Sequence, residues 1–230
     1  ALSKPISLDL LNEVYEEYIA GFTKQESKGK LDEIISQKIS SKDNIRKTRT
    51  IVQNLWYVDS DWFHEEAASV AHYLTRIERL PIHWALLMNY YKLFTDMSVV
   101  LGQLFEIKDS VSAAQIKAEI FSKWGAINTL DASLSKSLKS FRDMEAITYG
   151  NSHTSYAKVT HKVSDPKVVA LLFAGVMLAT DQQYMTWESF ITHPAIFPFA
   201  ITDVTPAAMA AVPYFAMERM GEQVVFRIKE

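Results

Sequence analysis

The chain has 230 residues, 48% of them hydrophobic and 22% charged, with a formal net charge of −3 and no cysteine. Those values describe a folded, core-forming protein and exclude disulfides, thiolate metal sites and a cysteine nucleophile. The negative balance argues against indiscriminate coating of nucleic acid, while a local basic face stays open.

The N-terminal ALSKPISLDLL has no basic region followed by an apolar run, so it does not read as a signal peptide, and a cytoplasmic setting is expected. Ser7 is the N-cap candidate for a helix in which Leu10, Leu11, Val14, Tyr18 and Ile19 recur at helical spacing. A short helix over about residues 31–39 follows. The polar turn SSKDN then offers Ser41 or Asp43 as the cap of NIRKTRTIVQNLWYV. In that helix Ile45, Thr48, Val52, Leu55 and Trp56 share one face, while Arg46, Lys47 and Arg49 point elsewhere. Helix, tight polar turn and basic helix outline a helix-turn-helix, and residues 1–80 are read as this first unit.

DWFHEEAASVAHYLTRIERL reads as a helix ended by Pro81. IHWALLMNYYKLFTDMSVVLGQLFEI is apolar nearly all round, which predicts a central helix or a pair of them, with Gly102 as the weak point. SVSAAQIKAEIFSKWG predicts a helix capped by Ser112 and stopped at Gly125. Thr129 then caps a helix whose Leu130, Leu134, Leu138 and Phe141 form one stripe. Past Met144 the stretch AITYGNSHTSYAKVTHKV places β-formers on either side of a turn-rich GNSHTS, which predicts a hairpin. Helix, turn, helix and hairpin describe a winged helix, within a second unit spanning residues 81–164.

Residues 165–230 begin with a capped apolar helix in SDPKVVALLFAGVMLATDQQYM, with Pro166 in its first turn. Its VVALLFAGVMLA run falls short of the roughly 20 residues that span a bilayer, so it reads as a buried helix and no membrane contact is expected. Pro194, Pro198 and Pro206 make the next stretch irregular, and a terminal hairpin pairs 214–218 with 223–228 around MGE. The expected fold is mainly α with minor β: two helix-turn-helix or winged-helix-like units, a β-hairpin wing and a C-terminal hairpin.

Catalytic signals are weak. His64, Glu65 and His72 share one predicted helix, but two histidines eight positions apart do not bind one ion as an i, i+4 pair does, so a solvated acidic face is the better reading. His153 and His161 fall in the predicted wing without an evident third ligand. Phosphate-loop, dinucleotide-binding and nucleophile-elbow motifs do not occur, and neither metal nor cofactor is expected. Trp56, Trp62, Trp84, Trp124 and Trp187 sit among apolar neighbours and read as core.

The stronger signal is the polar side of the leucine-striped helix, which offers Ser133, Lys136, Ser137, Lys139, Ser140 and Arg142. Short hydroxyl side chains allow close approach to a duplex, and lysine and arginine neutralise phosphate. Lys158, Thr160 and Lys162 alternate along the predicted wing, hence on one face of a strand. Lys42, Asn44, Arg46, Lys47 and Arg49 surround the second helix of the first unit. Together they predict a non-enzymatic protein that binds double-stranded DNA. The competing reading is a scaffold or adaptor subunit, in which Ser and Lys merely solvate the helix and the winged helix docks other subunits of a complex.

The order IRKTRTIVQNLW, then HWALLMNYYKLFTDMSVVLGQLF, then TLDASLSKSLKSFRDMEAI resembles the small A component of bacterial phage-exclusion (BREX) systems. In that family an arginine-bearing helix precedes a core helix and a serine/threonine-capped winged-helix segment. The resemblance covers residues 44–147 and is one of pattern. It implies a cytoplasmic, non-enzymatic DNA-binding protein of a phage-defence system, and it assigns no catalytic residue.

Overall fold

The computed structural model describes residues 3–58, 61–125 and 129–229. The first three helices, α1 (Leu8–Ile19), α2 (Ser27–Ser36) and α3 (Lys42–Trp56), pack against one another. Each of α1 and α3 starts where a serine hydroxyl accepts a free backbone N–H, Ser7 from Leu10 and Ser41 from Asn44. Trp56 closes this cluster, with Tyr15 at 4.9 Å and Tyr18 at 5.7 Å between ring centroids.

The next segment divides differently from the sequence expectation. Helix α4 (Trp62–Ala71) stops short, and Pro81 sits in the first turn of α5 (Leu80–Tyr90) instead of ending the helix before it. Proline lacks an N–H that the first turn would leave unpaired anyway, and its fixed φ suits that position. Extended backbone at Tyr91 separates α5 from α6 (Lys92–Ile107), and the buried Thr95 hydroxyl donates to the Met88 carbonyl across the break at 2.7 Å.

Strand β1 (Ser110–Ser112) leads into α7 (Ala113–Trp124), α8 (Leu130–Asp143), β2 (Ile147–Tyr149) and β3 (Ser155–Lys158). Ser112 and Gln115 form a reciprocal capping box on α7. The three strands make an antiparallel sheet in the order β1–β3–β2, with Tyr149 opposite Tyr156 and Ile147 opposite Lys158. The predicted hairpin therefore ends at Lys158. Its continuation, β4 (His161–Val163), pairs in parallel with β6 (Phe199–Ile201), because the His161 N–H turns away to the Pro198 carbonyl at 2.7 Å.

After α9 (Pro166–Ala179) come β5 (Met185–Thr186), α10 (Trp187–Ile191), a 3-10 turn (Pro194–Ile196), β6 and α11 (Pro206–Ala210). The chain ends in β7 (Phe215–Met220) and β8 (Gln223–Ile228), which turn at Gly221 (φ +63°) and take β5 as a third strand. The protein is thus mainly helical with small sheets.

Helices α5 and α9 are apolar on every side along residues 80–88 and 168–177 because those residues are covered on every side. They approach so closely that a Cβ on Gly175 would lie 2.6 Å from that of Ala85. Trp84 of α5 meets Phe94, Phe141, Phe197 and Phe199 edge-on, and its indole donates to the Ala195 carbonyl at 2.9 Å. One side chain thereby ties α5, α6, α8 and the C-terminal segment together. Phe173 of α9 does the same for the end of the chain, stacking on Phe190 at 4.3 Å and contacting Phe215 and Phe226. Among the described residues, no helix is long and apolar enough to cross a membrane.

Candidate functional site

Helix α8 is fixed by its stripe: Leu130, Leu134, Leu138 and Phe141 are all buried, and Phe141 stacks on Phe94 of α6 at 4.7 Å. The same periodicity carries Ser137 inward, while Ser140, on another side of the helix, is covered by the N-terminal segment, and both are fully buried. Ser140 accepts the Ile6 N–H at 3.0 Å and donates to the Lys136 carbonyl, so it anchors the N-terminal segment. The Ser137 hydroxyl has no partner among the described residues. Neither serine belongs to an outward polar face, contrary to the sequence expectation.

The solvent side of α8 carries Asp131, Ala132, Ser135 and Lys139, flanked by the half-buried Ser133, Lys136, Arg142 and Asp143. Ser135, beside the leucine stripe and exposed, is a member of this face that grouping by residue type leaves out. The hydroxyls of Ser133 and Ser135 donate to carbonyls one turn back. Lys139 pairs with Asp143 at 2.7 Å. The Arg142 guanidinium lies 4.0 Å from Asp143 and 4.4 Å above the centre of the Tyr149 ring.

Tyr149 is an unexpected element of the surface. It is 43% exposed, lies beside Tyr156 at 6.0 Å and meets His153 edge-on at 5.2 Å. The cross-strand register β2–β3 produces this group. Lys158 is exposed at the end of β3. Lys162 is exposed too, but it lies in β4 beside Ala200 of β6, so the two lysines do not share a strand of the wing.

On α3 the basic residues divide. Arg46 and Lys47 are exposed and share one carboxylate, Asp43, at 2.8 and 2.6 Å. Hydrogen bonds from Lys47 and then Arg46 hold the Asp43 carboxyl down to about 2. Arg49 is buried and paired with Asp32 of α2, which removes it from any outward basic face. Lys42 is exposed at the first turn.

The histidines are dispersed. His64 contacts its N-cap Asp61 at 2.9 Å, the His161 ring reaches the Glu145 carbonyl, and His83 is wholly buried. Among the described residues, no three His, Asp or Glu side chains converge as a metal site would require. The exposed groups of α8 and the β2–β3 hairpin therefore present cations, hydroxyls and one aromatic surface.

The chain matches no family model, no curated protein and no solved structure.

Proposed function

We propose that residues 92–158 form a winged-helix unit that binds double-stranded DNA through α8 and the β2–β3 wing. The observation that carries this reading is the order helix, strand, helix, helix, strand, strand with the sheet ordered β1–β3–β2. That order leaves the loop between β2 and β3 as a wing beside the second helix of the pair, the arrangement by which such units present one helix to the major groove. In this reading Ser133, Ser135, Lys136, Lys139 and Arg142 face the duplex, and Lys158 takes a phosphate from the wing. Lys42, Arg46 and Lys47 supply a second basic edge on α3. The resemblance to the phage-exclusion A component gives a setting for such a protein, as a non-enzymatic, cytoplasmic member of a phage-defence system.

The pairing of Lys139 and Arg142 with Asp143 favours a second reading, in which α8 is a solvated face and the wing docks a protein subunit. Salt separates the two, because displacement of condensed counterions makes duplex affinity fall steeply as ionic strength rises. In anisotropy titrations at low salt, the protein is expected to bind duplex DNA, and the double variant Lys136→Glu, Lys139→Glu is expected to bind it at least about tenfold more weakly. Circular dichroism of the variant should be unchanged. Undiminished affinity in the folded variant removes α8 from the interface, and absence of duplex binding at low salt ends the DNA reading.

A further inference from the structure

A groove of about 840 Å³ runs between the N-terminal helices and α8, within the size range of small-molecule pockets. Its apolar floor comes from Leu10 of α1 and from Ile34, Ile35 and Ile39 in and just after α2. Its rim carries five cations, Lys4, Lys38, Arg76, Lys136 and Lys139, and four carboxylates, Asp9, Glu13, Asp143 and Glu145. Arg76 engages Asp9 at 2.5 Å and Glu145 at 2.8 Å, and Lys139 engages Asp143, so three of the four carboxylates are occupied. Lys4 donates to the Asn44 amide oxygen at 2.6 Å. Among the described residues Lys38 and Lys136 have no carboxylate partner, and Lys136 is the more sheltered of the two.

A second observation comes from the wall. Thr48 of α3 lines the groove, is 1% exposed, and its hydroxyl has no hydrogen-bond partner among the described residues. A buried hydroxyl is ordinarily paired, and in a helix threonine readily donates to the carbonyl one turn back. An apolar floor, one surplus positive charge on the rim and a waiting hydroxyl in the wall match a monoanion with an apolar body.

We propose that this groove binds the free carboxylate form of a single-chain fatty acid. Its acyl chain lies over Leu10, Ile34, Ile35 and Ile39. Its carboxylate is held by Lys136, and Thr48 supplies a further hydrogen bond. This site is independent of the DNA reading, although Lys136 belongs to both faces and a bound carboxylate would draw it away from a phosphate.

Isothermal titration of the full chain with laurate, below its micelle concentration, tests the proposal. One laurate is expected per chain. Lys136→Gln, which removes the charge but keeps the stem, should weaken binding by about tenfold, the worth of a charge-assisted hydrogen bond. Ile39→Asp, which puts a like charge on the floor, should abolish it, and Thr48→Val should weaken it less than Lys136→Gln does. Lauryl alcohol and laurylamine should bind more weakly than laurate by at least the same factor. Thermal melting of each variant establishes that it is folded, and Lys136→Gln keeps the test decisive if Ile39→Asp is not. Laurate binding that is unmoved in folded Lys136→Gln, laurylamine binding as tightly as laurate, or no binding at all each overturns the proposal.

Discussion

Gly102 lies in α6 where a methyl group would sit 2.0 Å from the Pro194 carbonyl oxygen, so the residue that looks like a flaw in an apolar helix is the contact point for the 3-10 turn. A backbone atom cannot swing aside as a side-chain tip does, so Gly102→Ala is expected to cost about 1–3 kcal/mol despite its better helix propensity. Urea denaturation measures that sign directly. His83 raises a different residue-scale question. It is buried in α5 with neither ring nitrogen paired among the described residues, Trp56 stands edge-on to it at 5.7 Å, and burial, with Arg79 second, pushes its pKa down to about 3. The unfolded chain takes up this proton near pH 6.5 and the folded one does not, so stability is lost as pH falls from about 6.5 toward 3. Between pH 7 and 5 this amounts to about 2 kcal/mol. A pH series of urea midpoints should show that much less acid sensitivity in His83→Leu than in the natural chain, and parallel curves would assign His83 a paired, titrating environment.

At the scale of elements, the leucine stripe of α8 and its serine-rich opposite side were both legible, yet two of the serines belong inside. Ser137 sits at a stripe position, where angular position outweighs residue type, whereas Ser140 is buried by the N-terminal segment that its hydroxyl anchors. Arg49 repeats the lesson on α3, where its neighbours Thr48 and Val52 are buried and Asp32 meets it from α2. The wing shows the limit from the other side. Alternation of Lys158, Thr160 and Lys162 suggested one strand, but pairing with β6 redirects the chain after Lys158, and no local pattern encodes a partner 38 residues away. The proposed DNA reading therefore separates the two lysines. Lys158→Ala is expected to lower duplex affinity and to reduce the slope of log K against log salt by about 1, whereas Lys162→Ala should leave both unchanged. Anisotropy titrations across a salt series check both variants together.

At the scale of the whole molecule, Trp84 reaches from the second of the three units that the sequence suggests to Phe197, Phe199 and Ala195 in the third. Helix α5, from the middle segment, is covered by α9 from the last, and Trp56 of the first segment rests on His83. Buried apolar contact of this extent couples the segments, because opening one exposes the face of another to water. Urea unfolding followed by tryptophan fluorescence and by far-ultraviolet circular dichroism is therefore expected to give coincident transitions. Separated midpoints would show that the first helices unfold independently of α5 and α9.

The sequence by itself determined the helical class, the capped starts of α1, α3, α7 and α9, the buried stripe of α8 and the terminal hairpin. Each rests on hydroxyl or carboxylate caps, hydrophobic period and turn residues within a few positions of one another. Only the tertiary structure decided which serines and arginines reach solvent, where the β2–β3 hairpin ends, and that a groove opens between α8 and the N-terminal helices. Those outcomes depend on pairings between residues far apart in the chain, and burial there is settled by what packs on a face as much as by the residues that compose it.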